Sequence, residues 1–338
     1  MTLGWGVVST GRAADVLVGP AIEAAEGSKI TAVYSRDKAR ADEYAAKHDV
    51  ASAYTSYEEM LADPAVEVVY IASPNALHYE QVVAAAKAGK HVYCDKPLAM
   101  NAKEARLAVD ACRDAGVKLG VNFQTRHYAA NQKAKRLIDE GTVGEIRLME
   151  IASCAGNNPL KGWRTDPGLA GMGAVNNITV HPLDLACYFA GSEVTEVIAM
   201  TNAGRSDELE TLPLVLLRFE SGAMAYINGN QAVPNPRADM EVYGIEGRIS
   251  GRSTTRPGLD GELLVKKNDG EERVIQFDTK DGFKRAIQAF NEAVANDTKP
   301  NPSGEDGLRS VELVEAISRS AREGAVVQVG KAAVTGRP

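Results

Sequence analysis

Ser9-Thr10-Gly11-Arg12-Ala13-Ala14 follows an apolar run and opens an alanine-rich stretch of helical spacing. A G-x-G-x-x-A turn belongs at such a place, with Ser9 standing where the first glycine is usual. The chemistry such a turn offers is pyrophosphate binding, because the first turn of a helix leaves N–H donors unpaired and carries the positive end of the dipole. Taken alone, the hexapeptide also reads as a tight turn and cap. Further on, Ser35-Arg36-Asp37-Lys38-Ala39-Arg40 ends the next β-branched run, where the group that reads an adenosine ribose is expected. NAD enzymes usually place Asp or Glu at that strand end to accept from the 2′-hydroxyl, whereas here Ser35 is followed by Arg36, Lys38 and Arg40. A 2′-phosphate suits the cluster, so NADP(H) is expected. NAD(H) is the alternative, with Asp37 turned toward the ribose.

Two more segments lie at strand carboxyl ends, where open α/β sheets bind ligands. They are Ser73-Pro74-Asn75 with His78, and Asp95-Lys96-Pro97 after His91-Val92-Tyr93-Cys94. The elements that position them follow from the pattern of apolar residues. Strands are expected at Gly6 to Ser9, Lys29 to Tyr34, Val66 to Ala72, His91 to Tyr93 and Lys118 to Asn122. Helices are expected between them at Ala13 to Ala25, Lys38 to Lys47, Leu77 to Ala88 and Ala102 to Ala115, several ended by glycine. This alternation predicts an α/β fold whose N-terminal domain, residues 1–122, is a doubly wound parallel sheet of Rossmann type.

After about Phe123 the rhythm changes. A helix at Ala129 to Glu140 precedes strands at Ile146 to Ser153, Val194 to Thr201, Leu212 to Phe219, Ala223 to Gly229, Ala238 to Tyr243, Gly261 to Lys267 and Glu272 to Phe277. Residues 123–338 thus read as an α+β domain with a large, mostly antiparallel sheet. Leu308, Val311, Val314, Ile317 and Ala321 mark an amphipathic helix after Gly304. A sheet packed by helices on one face leaves the other to be covered, which predicts a homodimer or homotetramer.

Composition removes several classes of function. With 38 basic against 45 acidic residues the net charge is −7, and no basic patch is visible, so nucleic acid is not expected as a partner. No apolar run approaches the ~18 to 20 residues of a membrane helix. The opening Met1-Thr2-Leu3-Gly4-Trp5-Gly6 has neither a basic n-region nor a signal core. Cys94, Cys112, Cys154 and Cys187 lie far apart with no C-x-x-C pair, which predicts no metal site and no disulfide scaffold and fits a reducing cytoplasm.

As an ordered set, these motifs resemble the Gfo/Idh/MocA oxidoreductase family. They are the turn from Gly6 to Ala14, Ser73-Pro74-Asn75 with His78, Gly89-Lys90-His91-Val92 leading to Asp95-Lys96-Pro97, and Gly171-x-Gly173 leading to His181-x-x-Asp184. The resemblance spans essentially the whole chain. It implies that Lys96, in the place of the family's Glu-Lys-Pro lysine, sits beside the nicotinamide and hydrogen-bonds the reacting oxygen. His181 matches the family's acid/base histidine, whose ordinary pKa near 6.5 suits reversible proton transfer. Asn177 stands where most members have aspartate, beside Asn176, and both are implied to face the substrate. Gly162-Trp163-Arg164, Asn122 and Arg126 look like the branch that reduces 1,5-anhydro-D-fructose. There Trp163, Arg164 and Arg126 would lie near nicotinamide and substrate, and Asn122 near the cofactor.

The implied activity is hydride transfer between NADP(H) and a carbonyl or secondary hydroxyl of a sugar, anhydrosugar or related polyol. Two alternatives share the fold: an NAD-dependent inositol or pentose dehydrogenase, and a dinucleotide-binding regulator without turnover.

Overall fold

The computed structural model describes residues 2–205, 209–258, 260–278 and 281–330; residue 1 and residues 331–338, the outer ends of the 1–122 and 123–338 division, lie outside them. The chain forms two compact units, 1–124 with 283–311 and 125–282 with 312–338.

The first unit holds six strands: β1 (Leu3–Val8), β2 (Ser28–Tyr34), β3 (Ser52–Tyr54), β4 (Val68–Ile71), β5 (His91–Cys94) and β6 (Leu119–Val121). They form one parallel sheet in the order β3-β2-β1-β4-β5-β6, the doubly wound Rossmann arrangement, whose topological switch lies between β1 and β4. Every residue of β1 and of β4 is buried, as parallel strands covered on both faces require. Trp5 packs edge-on against Tyr93 and Phe290, with centroids 6.0 and 5.8 Å away. Phe290 and Ile287 belong to the helix Gly282–Ala295, which the sequence pattern had not marked out and which closes this core from far along the chain.

The expected helix from Ala13 is in two pieces. Ala13–Val18 is a π-helical turn, with the Gly19 N–H bonded to the Ala14 carbonyl, and regular helix runs only over Gly19–Ala24. Pro20 is the physical reason: it has no N–H to return to Val16, so the regular ladder cannot pass through it.

The second unit holds β7 (Ile146–Ala152), β8 (Val194–Thr201), β9 (Pro213–Phe219), β10 (Met224–Asn228), β11 (Met240–Gly244), β12 (Gly247–Arg252), β13 (Asp260–Lys267), β14 (Glu272–Asp278) and β15 (Val327–Gln328). Their order is β14-β13-β12-β11-β7-β10-β9-β8-β15, antiparallel except where β10 meets β7. Burial alternates along β9, so one face is packed and the other open. Helices Ala129–Asp139 and Val180–Ala190 cover the packed face. Ile198, Met200, Leu216 and Met224 stand exposed on the open one. The expected C-terminal helix is Gly304–Glu323. Among the described residues no helix is long and apolar enough to cross a membrane.

Candidate functional site

In the first unit, Ser9 sits just past β1 with φ of 101°, in the region that favours glycine. Its backbone N–H donates to the Tyr34 carbonyl, and its hydroxyl accepts from Gly11 N–H at 3.1 Å. Those bonds hold a serine where glycine is usual. Arg12 begins the π-helical turn at Ala13 without any side-chain cap, which leaves helix N–H donors toward the turn. The buried Thr10 Oγ1 has no protein partner. Uncapped amides and a buried, unmatched hydroxyl fit a phosphate, so the turn suits a dinucleotide. The turn is braced from behind. Tyr44 donates to the Ala14 carbonyl, and Asp15 bonds Lys47 and His48 at 2.8 Å each, which hold its carboxyl below the usual range.

At the end of β2, Asp37 is the N-cap of helix Lys38–His48 and accepts from the N–H groups of Ala39 and Arg40 at 3.0 and 3.3 Å. Ser35 Oγ accepts from Asp37 N–H, and Lys38 pairs with Asp42. Among the described residues Arg36 and Arg40 make no ion pair. Two guanidinium groups are therefore available where the carboxylate is engaged.

The ends of β4 and β5 are tied to each other. His78 is fully buried, with Nδ1 2.7 Å from the Pro97 carbonyl and Nε2 2.9 Å from the Ser73 carbonyl. Burial draws its pKa down, against the pull of both carbonyls and of Asp95. Its ring joins the Ser73 loop to the Lys96 loop; it is a brace between them. Ser73 donates its hydroxyl to Gln81, and Asn75, one residue past Pro74, is buried in a short 3-10 turn. Asp95 caps its own loop, accepting from Lys96 N–H at 3.0 Å, while Asn122 accepts from Tyr93 Oη and reaches Asp95 with its amide nitrogen at 3.5 Å. Lys96 thus stands half-buried on a loop fixed from three sides.

In the second unit, Val175–Thr179 is another π-helical turn, with Val180 N–H bonded to the Val175 carbonyl, followed by helix Val180–Ala190. Pro182 has no N–H to return to Ile178, so this helix opens in the same way as the one after the Ser9 turn. The turn is held by a residue that the sequence reading missed. Glu210, 2% exposed, accepts from Gly173 N–H and Val175 N–H at 2.9 Å each, and burial pushes its carboxyl up against the pull of those two donors. No local signal marks it, because it comes from a different stretch of chain.

Asn176 donates to the Ala170 carbonyl, Asn177 donates to Gln231 Oε1 at 2.8 Å, and His181 lies half-buried in the first turn of the helix. Arg126 makes a two-pronged bond to Asp184, Nε to Oδ2 at 2.8 Å and Nη2 to Oδ1 at 2.6 Å, and its guanidinium lies 5.0 Å from the Tyr188 ring centroid. Both partners are buried, so Arg126 secures the helix three residues beyond His181. Arg164 stacks over Trp163 at 4.3 Å on a half-exposed 3-10 turn.

The first unit therefore brings together Ser9 to Ala13 and Ser35 to Arg40 at neighbouring strand ends, and separately Ser73, His78, Asp95, Lys96 and Asn122. The second carries Asn176 and Asn177 on the π-helical turn and His181 on the helix that follows it.

Residues 3–123 match the model of an oxidoreductase family with an NAD-binding Rossmann fold, and residues 131–250 match the Gfo/Idh/MocA C-terminal domain. The chain belongs to the Gfo/Idh/MocA oxidoreductase family. It is an NAD(P)-dependent oxidoreductase of that family. This Gfo/Idh/MocA member is 32% identical to the 1,5-anhydro-D-fructose reductase of Ensifer adhaerens over 96% of its own length and 98% of the relative. It is 31% identical to an NADP(+) D-xylose 1-dehydrogenase of Haloferax volcanii, over 96% and 99%. Among solved structures it matches the aldose-aldose oxidoreductase of Caulobacter crescentus, crystallised with glycerol, with a TM-score of 0.90 at 28% identity, covering 97% of this chain and all of that one.

Proposed function

We propose that the protein is an NADP(H)-dependent oxidoreductase acting between a carbonyl and a secondary hydroxyl of a sugar, anhydrosugar or related polyol. Residues 1–122 hold the dinucleotide, and residues 123–338 hold the sugar and the contact between copies. Relatives that act on an anhydroketose and on an aldose support the substrate class. The observation that carries the NADP(H) preference is the capture of Asp37 by its own helix N-terminus, beside Arg36 and Arg40. A carboxylate capped in this way is a poor partner for a 2′-hydroxyl, and the guanidinium groups match a 2′-phosphate.

When bound, the dinucleotide supplies or takes up the hydride. In reduction, Lys96 donates a hydrogen bond to the reacting oxygen and its positive charge stabilises the developing alkoxide, while His181 supplies the proton. In oxidation His181 accepts the hydroxyl proton. Asp95 and Asn122, with the His78 brace, hold the Lys96 loop in place, and Glu210 and Arg126 hold the helix of His181. Asn177 orients a substrate hydroxyl, and Trp163 and Arg164 border the sugar. The exposed apolar residues of β8, β9 and β10 support a homodimer or homotetramer formed through that sheet. The wide sequence spacing of the four cysteines fits a reducing cytoplasm.

The test is fluorescence titration with NADPH and NADH, then turnover over a panel of ketoses, aldoses and cyclic polyols. Tighter NADPH binding with sugar turnover is expected. A preference for NADH would return the ribose to Asp37 and favour an inositol or pentose dehydrogenase. Tight binding without turnover on any sugar would make the protein a regulator.

A further inference from the structure

Gln231 follows β10 and is 1% exposed. Its main chain is fixed on both sides: its N–H donates to the Thr211 carbonyl at 3.0 Å and its carbonyl accepts from Asn158 N–H at 3.1 Å. The carboxamide oxygen accepts from Asn177 Nδ2 at 2.8 Å. The other end of the same carboxamide, Nε2, is buried with no protein acceptor. Buried amide donors are almost always paired, and leaving one unpaired costs more than an average hydrogen bond contributes. This donor lies one hydrogen bond away from Asn177, the residue proposed to orient a substrate hydroxyl.

We propose that Gln231 is a substrate-binding residue whose Nε2 donates to a hydroxyl oxygen of a polyhydroxylated substrate, and that its bond to Asn177 sets the direction of this donation. The assignment rests on the reading of the protein as a sugar oxidoreductase with Asn177 facing the sugar. Asn177 presents N–H to Gln231, and Gln231 answers with its oxygen, which leaves its own nitrogen without an acceptor. An aspartate at 177, as in most family members, has only acceptors to offer. It would demand the nitrogen of Gln231 and leave the oxygen as the end without a protein partner. Replacement of the usual aspartate by Asn177 therefore changes more than a charge: it reverses the polarity of the group that the neighbouring glutamine shows to the ligand.

The experiment uses the full chain with D-xylose and NADP+ and with 1,5-anhydro-D-fructose and NADPH, then monodeoxy and monodeoxyfluoro derivatives of whichever is turned over. Gln231→Met is expected to raise KM roughly tenfold to a hundredfold with kcat and dinucleotide affinity nearly unchanged. One monodeoxy isomer should lose as much on the wild type and nothing further on the variant, the coupling that marks a direct contact. Gln231→Glu keeps an acceptor for Asn177 but replaces the unpartnered donor by a carboxylate oxygen. It should reject the fluoro isomer at that position, which accepts but cannot donate, more strongly than the wild type does. The assignment is overturned if both variants keep the wild-type KM, if every deoxy isomer loses equally on wild type and variants, or if only the melting temperature falls. Absence of wild-type turnover on the whole sugar panel would instead overturn the underlying function, and this assignment with it.

Discussion

Glu210 grips Gly173 from two directions. Its carboxylate accepts the Gly173 N–H at 2.9 Å, and its own main-chain carbonyl lies 2.2 Å from where a Cβ on residue 173 would stand. The glycine is needed for the close approach, and the approach brings the carboxylate to the turn that launches the His181 helix. Glu210→Ala leaves two buried donors unpaired and should cost about 2 to 4 kcal/mol in denaturant unfolding. Gly173→Ala should cost about 1 to 3 kcal/mol by overpacking. Wild-type stability in either variant would show that the turn holds itself.

The same carboxylate makes a pH prediction with a definite sign. Burial raises the Glu210 pKa above its usual 4.5, so the folded chain keeps this proton longer than the unfolded chain. Its contribution to stability is full below the unfolded value and is lost as pH rises from about 4.5 through the raised folded value. The stability of wild type minus that of Glu210→Gln should therefore shrink across this window and level off above it. Thermal unfolding of both proteins from pH 4 to 8 reads the difference; one that grows with pH contradicts the raised pKa.

Arg40 tests the ribose reading. Arg40→Ala should weaken NADPH binding about tenfold to a hundredfold, the range for one charge-assisted hydrogen bond to phosphate, and leave NADH binding within about twofold. Fluorescence titration measures both, and equal losses would remove the 2′-phosphate assignment.

Lys96→Met takes away the positive charge proposed to face the reacting oxygen. Turnover should fall by about a hundredfold or more, with NADPH affinity intact because the dinucleotide turn is untouched. Steady-state kinetics with a dinucleotide titration separates the two, and near-normal kcat would remove Lys96 from the chemistry.

Arg126→Met takes the two-pronged guanidinium bond away from the buried Asp184 carboxylate. The expected loss is about 3 to 5 kcal/mol in chemical unfolding, while Arg126→Met with Asp184→Leu should recover most of it. A single variant as stable as wild type would mean that the guanidinium is not what holds Asp184 in place.

Much of the cofactor half is a local matter and was legible as such. An apolar run, a small-residue turn and an alanine-rich stretch follow one another directly from Leu3 to Ala24, so their spacing puts a strand, a turn and a helix start where a dinucleotide turn belongs. The same holds for Ser35 to Arg40. Elements went unread where composition and structure disagree. β12 is Gly-Arg-Ile-Ser-Gly-Arg, without alternation, yet a Cβ on Gly247 would stand 2.5 Å from the Lys266 carbonyl, so glycine there serves the close approach of its neighbour. Likewise the regular helix expected from Ala13 gave way to a π-helical turn, because one proline outweighs a run of good helix formers.

The sequence by itself determined the alternation of strands and helices in the first domain and the turn after the first strand, because each is encoded within a few neighbouring positions. Only the tertiary structure decided how the candidate residues are held. Gly173 meets Glu210 across 37 positions, Asn177 meets Gln231 across 54 and Arg126 meets Asp184 across 58. A side chain's partner at such distances depends on which strand ends come together, and periodicity carries no record of that. Asp37 shows the same division at short range: its type suggested a ribose ligand, and the helix that begins beside it turned it into a cap.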